Sequence, residues 1–219
     1  MAGADRIVLA FVGDMMIGRK VEAALAWRKP EDYWSDFLPE LRAADLVIGN
    51  LECPVTDSTT RWPRPKTWKF RASAKALEIL KGGGIGAVSF ANNHSGDYCE
   101  QGLTDALEAG GAAGIVCYGA GRTLAEAQAP KIVTLKGRRL GLMSFSDRMP
   151  EYGATETRPG TNFAWPPKGA PEAQRVMAPL AAAEVDLRSP HFPEQRGQNG
   201  PCGIQRRRQF GGRTPSPEG

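Results

Sequence analysis

Three short apolar runs, each ending abruptly in a polar cluster, constrain this chain more than any other feature. Ile7-Val8-Leu9-Ala10-Phe11-Val12 ends at Gly13-Asp14. Asp45-Leu46-Val47-Ile48-Gly49 runs into Asn50-Leu51-Glu52-Cys53-Pro54, and Gly86-Ala87-Val88-Ser89-Phe90-Ala91 into Asn92-Asn93-His94-Ser95-Gly96-Asp97-Tyr98. Runs of this length, rich in β-formers and closed by turn residues, read as buried strands. Helical stretches fall between them. One covers about 20–27. A second covers 33–43, with Trp34, Phe37, Leu38 and Leu41 on one side and Pro39 imposing a kink or a two-part helix. A third runs over 73–81, with Ser73 as N-cap and Gly82-Gly83-Gly84 as its stop. Further on, a helix is expected over 100–110, a fourth strand at Ile115-Val116-Cys117-Tyr118, and another helix over 171–183. Strands at 131–135 and 139–145, joined by Lys136-Gly137-Arg138, form a hairpin, so the later sheet is not purely parallel. Alternating strands and helices define an α/β fold.

The polar clusters point to chemistry. In open α/β sheets, ligands sit outside the carboxyl ends of the strands. If the first three strands are neighbours, Asp14, Asn50, Glu52, Asn93 and His94 meet in one place. Oxygen donors with one imidazole suit a hard or borderline divalent ion such as Mn²⁺, Mg²⁺ or Fe²⁺. Taken singly, each residue has a plainer reading. Asp14 can cap the following helix, Glu52 can pair with Arg19 or Lys69, and His94 can be a turn histidine satisfied by backbone. Three such clusters at three strand ends favour a shared site. Gly119-Ala120-Gly121-Arg122 is a weaker signal, either backbone N–H groups and a guanidinium offered to an anion or an ordinary glycine turn. The stretch 56–70, carrying Trp62, Pro63, Pro65 and Trp68, is long for a loop in a compact domain, which marks it as functional.

The net charge of +4 at 219 residues is misleading as a guide to partners. Residues 1–186 carry 22 basic and 22 acidic side chains, and the excess lies in 187–219, with six arginines against Glu194 and Glu218. A neutral body argues against nucleic acid as a partner; only Arg206-Arg207-Arg208 could supply such a contact, and it would be steeply salt-dependent. Cys53, Cys99, Cys117 and Cys202 show neither zinc nor disulfide spacing and are expected to be reduced thiols. No run approaches the length of a membrane span, and no signal-peptide pattern opens the sequence, so a cytoplasmic location is expected, with peripheral membrane association left open.

Gly13-Asp14-Met15-Met16-Ile17-Gly18-Arg19, Gly49-Asn50-Leu51-Glu52-Cys53-Pro54, Ala91-Asn92-Asn93-His94-Ser95-Gly96-Asp97-Tyr98 and Gly119-Ala120-Gly121-Arg122 resemble, in order and spacing, the CapA proteins of bacterial poly-γ-glutamate capsule synthesis. That family is in turn similar to the calcineurin-like metallophosphatases. The resemblance covers about residues 6–147. It implies a metallophosphatase-like α/β/β/α sandwich around a divalent metal site, with two ions drawn from Mn, Mg, Fe or Zn. Asp14, Glu52 and Asn93 would be metal ligands. His94 would act at the phosphate or as an acid, Asp97 would support it, and Arg19 and Arg122 would bind substrate. Ser189-Pro190-His191-Phe192 matches a later family strand ending in a histidine, which makes His191 a further candidate ligand. The implied substrate is a small-molecule or polymer phosphate, and other capsule-synthesis proteins are the implied partners.

The chain departs from the pattern in two places. Met15-Met16 stands where the broader phosphatases carry a histidine, and a later Gly-His-x-x-His-like motif is absent. From 187 on, 11 of 33 residues are Gly or Pro. Residues 1–186 are therefore expected to form the N-terminal part of the domain and 187–219 a disordered basic tail, in place of a truncated or frameshifted second half. The alternatives are a non-catalytic scaffold or binding protein on the same fold, or an inactive shortened form.

Overall fold

The computed structural model describes residues 6–165 and 170–191. Four parallel strands form the first sheet: β1 (Leu9–Met15), β2 (Leu46–Leu51), β3 (Ile85–Ser89) and β4 (Val116–Tyr118), adjacent in that order. The helices α1 (Lys20–Ala23), α2 (Leu38–Arg42), α3 (Leu77–Gly82) and α4 (Cys99–Ala112) connect or follow them. Then come the short strand β5 (Ala120–Gly121), α5 (Leu124–Gln128), the hairpin β6 (Lys131–Leu135) and β7 (Arg138–Ser144), β8 (Gly160–Thr161), α6 (Ala170–Ala182) and β9 (Leu187–His191). The second sheet has the order β6-β7-β9, with β6 antiparallel and β9 parallel to β7. β5 and β8 form a separate antiparallel pair.

Side-chain alternation builds the layers. In β2, Leu46 and Ile48 face the second sheet, where they meet Leu140 and Leu142 of β7 together with Ala87 and Tyr118. Val47 points the other way, into a core shared with Leu41, Leu77, Leu80 and Leu103 from the helices. On the far side of β7, Met143 and Phe145 pack with Leu180, Val176 and Met177 of α6. A Cβ on Gly141 would meet Leu180 Cδ1 at 2.8 Å, so glycine there lets α6 lie close to the sheet. Helices, sheet, sheet and helix therefore stack in four layers, as the α/β/β/α expectation required.

Three departures have clear causes. β1 runs to Met15 rather than ending before Gly13. Gly13 takes φ +73°, the pairing with β2 shifts between Phe11 and Asp14, and the strand resumes with Asp14 opposite Asn50. The helix expected over 33–43 is two 3₁₀ turns followed by α2. Pro39 fits only a helix's first turn, so α2 begins at Leu38. Lastly, the folded part does not stop at 186. Leu187–His191 forms β9, with Leu187 packed against the inter-sheet core and His191 in register with Ser144. Among the described residues β9 lies at the edge of its sheet, a position where a strand proline such as Pro190 is tolerated. The remainder of the expected tail, 192–219, lies outside the described residues, as does the side chain of His191. Among the described residues, Cys53, Cys99 and Cys117 are free thiols, and no helix is long and apolar enough to cross a membrane.

Candidate functional site

The register of the first sheet places the polar clusters side by side. Asp14 is opposite Asn50, Asn50 opposite Ser89, and Ser89 opposite Tyr118, across the carboxyl edge of all four strands. Asn50 is buried and its Nδ2 donates to both carboxylates, to Asp14 Oδ1 at 3.0 Å and Glu52 Oε2 at 2.6 Å. Its Oδ1 accepts from Asn92 Nδ2 at 3.0 Å. Asn92 is also buried; it donates to the Leu51 carbonyl at 2.8 Å and accepts from the His94 backbone N–H at 2.9 Å. Two asparagines thus tie the acid pair to the turn that carries His94.

His94 is held on three sides. Its Nδ1 lies 2.6 Å from Asp97 Oδ2, and its ring stacks on Phe70 with centroids 4.3 Å apart. Its Nε2 faces Glu52 Oε1 at 3.9 Å. Asp97 is fully buried and also accepts from the Phe70 N–H at 2.7 Å, the Tyr152 hydroxyl at 3.3 Å, and the Lys66 ammonium. Lys66 donates as well to the Asn93 carbonyl and sits 3.3 Å from His94 Nδ1. One ring nitrogen cannot both donate to Asp97 and accept from Lys66. The shorter contact sets the tautomer, with Nδ1–H donating to Asp97 and Nε2 left open toward the acids. Burial draws the Lys66 ammonium below its ordinary pKa, and Asp97 opposes this.

Glu52 is raised from 4.5 to about 7, first by burial and then by the charge of Asp14, with His94, Asn50 and Lys66 opposing. Both carboxylates meet at the Asn50 amide, and like charge at that distance favours the protonated form of Glu52. Asp14 and Glu52 offer carboxylate oxygens of the kind a hard divalent cation takes, and Asn93, whose backbone carbonyl accepts from Lys66, could add an amide oxygen. Among the described residues no three His, Cys, Asp or Glu side chains gather closely enough to hold a metal, so the amide is needed to complete even one set.

The remaining candidates divide. Arg19, at φ +58°, places its guanidinium 5.1 Å from the Trp68 ring centroid and 5.7 Å from that of Phe70, beside the His94 stack. Arg122 is drawn elsewhere. Its guanidinium donates to Glu108 of α4 at 2.6 Å and its backbone N–H to Glu126 at 2.9 Å, so the glycine turn serves packing and an exposed ion pair rather than an open anion site. Lys66, Phe70 and Tyr152 were not singled out from the sequence. The first two lie in the 56–70 loop already marked by its length. Tyr152 stands 55 residues from Asp97, and nothing local signals it.

A four-layer α/β sandwich with its polar cluster at the strand ends is a metallophosphatase-like fold. The bacterial capsule synthesis protein family PGA_cap matches residues 8–192, and the chain belongs to that family. It is similar to the PGA biosynthesis protein CapA of Bacillus subtilis, 30% identical over 159 residues, covering 71% of this chain and 42% of that protein. The capsule biosynthesis protein CapA of Bacillus anthracis is 26% identical over 160 residues, 72% of this chain and 39% of that protein. A probable polyglutamine synthesis accessory protein of Mycobacterium tuberculosis is 30% identical over 178 residues, 77% of this chain and 44% of that protein. The chain thus spans about two fifths of the length of these curated relatives.

Proposed function

We propose that this chain acts in the synthesis of a poly-γ-glutamate-type capsule or related exopolymer, alongside other capsule-synthesis proteins, and that its strand-end cluster is a metal-dependent phosphoester hydrolase site. The names of its relatives support the first part. The second rests on one observation: Asp14 and Glu52 share the Asn50 amide, with Glu52 pushed to about 7, directly beside the open Nε2 of His94.

In this reading Asp14, Glu52 and Asn93 hold a divalent ion, and His191 is a candidate for a further ligand or a second ion. The ion would supply Lewis acidity toward a phosphoryl oxygen. His94 Nε2 holds or delivers a proton at the phosphate or its leaving oxygen. Asp97 is a positioning residue that fixes the tautomer, and Lys66 and Tyr152 fix Asp97. Arg19 offers a guanidinium to the substrate's anionic group.

The test is hydrolysis of bis(p-nitrophenyl) phosphate by the full chain with Mn²⁺, Mg²⁺, Fe²⁺ or Zn²⁺. Activity is expected with at least one ion, loss on adding EDTA, and a fall to the EDTA background in the Asp14→Ala/Asn93→Ala double variant. Hydrolysis that survives both substitutions would remove the proposal.

A further inference from the structure

Trp68 is an exposed ring on a fixed stretch of loop. It is 56% exposed, whereas a tryptophan is ordinarily well buried. The chain on either side of it is pinned to one buried carboxylate. Two residues before it the Lys66 ammonium donates to Asp97, and two residues after it the Phe70 N–H donates to Asp97 at 2.7 Å. Further back, the Trp62 N–H donates to the Asp97 carbonyl at 2.9 Å. The indole is thus held out to solvent by an ordered backbone, and the cost of ordering it is met before anything binds. Arg19 supplies a cation at the same place. Its guanidinium carbon lies 5.1 Å from the Trp68 ring centroid and 5.7 Å from that of Phe70, and Phe70 stacks on His94 at 4.3 Å. Arg19 forms no ion pair with a described residue. A guanidinium stacked on a ring keeps its in-plane N–H donors for an anion. A surface cation–π pair explains Arg19 against Trp68, but it needs neither the pinned loop nor the chain of contacts that leads through Phe70 to His94.

We propose that the ligand taken here is a nucleotide, with its base stacked on Trp68 and its phosphate on the Arg19 guanidinium. A bare phosphate or carboxylate has no use for the indole, and an uncharged ring leaves the guanidinium without a partner. A nucleotide engages both at once: every base has a π-face, and a guanidinium meets phosphate oxygens in its own plane. Stacking tolerates any base, so the geometry assigns the class of ligand and not one member of it. The proposal deepens the hydrolytic reading by naming its class of phosphoester, and it rests on that reading for turnover. Binding through Trp68 and Arg19 requires neither Asp14, Glu52 nor a metal ion.

The experiment is calorimetric titration of AMP, adenosine and ribose 5-phosphate into the full chain in EDTA, where no metal-dependent turnover contributes. AMP is expected to bind, and the two half-ligands about tenfold or more weakly, the scale of one lost stack or one lost charged contact. This comparison uses the wild-type chain and needs no variant to fold. Trp68→Ala should weaken AMP by about tenfold and leave ribose 5-phosphate unchanged, and Trp68→Phe should recover most of the loss because a ring remains. Trp27→Ala removes a tryptophan that is 73% exposed and should leave AMP binding as it was. The proposal is overturned if AMP does not bind, if ribose 5-phosphate or adenosine binds as well as AMP, or if Trp68→Ala has no more effect than Trp27→Ala. Its failure is distinct from that of the hydrolytic reading. Ring-dependent AMP binding without hydrolysis of bis(p-nitrophenyl) phosphate keeps the nucleotide site and removes the hydrolysis; hydrolysis with ring-independent binding does the reverse.

Discussion

Asp97→Ala is expected to destabilise the protein by about 3–5 kcal/mol, the usual cost of stripping one partner from a buried ion pair. For a chain of this size that is a fall in Tm of roughly 6–20 °C. The substitution does more than remove a charge. It leaves the Lys66 ammonium, 13% exposed, without its carboxylate. It also leaves the Phe70 N–H and the Tyr152 hydroxyl without their acceptor, and frees His94 Nδ1. Lys66→Met in the same background should recover part of the loss, because the uncompensated cation is then gone. Chemical denaturation of the two single variants and the double variant checks this. A coupling energy near zero would show that Asp97 and Lys66 do not depend on each other.

The pH dependence of stability should carry the signature of Glu52. Its pKa is raised on folding from 4.5 to about 7, so the folded state holds the proton more tightly than the unfolded chain. The sign follows from proton linkage: its contribution is fully present below pH 4.5 and is lost as pH rises through about 7. At about 1.4 kcal/mol per pH unit, the difference amounts to about 3 kcal/mol between mildly acidic and mildly alkaline solution. Urea unfolding in EDTA at several pH values should show that decline, and Glu52→Gln should flatten it. A Glu52→Gln profile that matches wild type would place the decline elsewhere.

Much of the first sheet was legible because its strands announce both faces and both ends. β2 and β3 begin apolar and turn polar at Asn50 and Ser89, and the parallel register then had to set Asp14, Asn50 and Ser89 abreast. The hairpin was legible from two β-rich runs around Lys136-Gly137, where φ is positive at both residues. β9 was not, because an edge strand needs only one apolar residue inward. Leu187 suffices, and the Gly/Pro-rich sequence after it hid the strand. In the cluster, Asp14, Asn50, Glu52 and His94 could be read from strand ends, and Asp97 from its place in the same turn. Lys66 and Tyr152 could not, since each reaches Asp97 from a loop whose path depends on the completed fold. Arg122 shows the converse failure. A guanidinium after a glycine turn looks available until the helix beside it supplies Glu108.

Asp14, Glu52 and Asn93 are proposed to form a cation site at the carboxyl edge of the first sheet. Calorimetric titration of Mn²⁺ into the EDTA-stripped, dialysed full chain at pH 7 tests it most directly. Saturable binding is expected, with heats that change with the buffer's ionisation enthalpy because Glu52 must release its proton to bind. Both should vanish in Asp14→Ala/Asn93→Ala. Heats of dilution alone from the wild-type chain, or binding that persists unchanged in the double variant, would contradict the account.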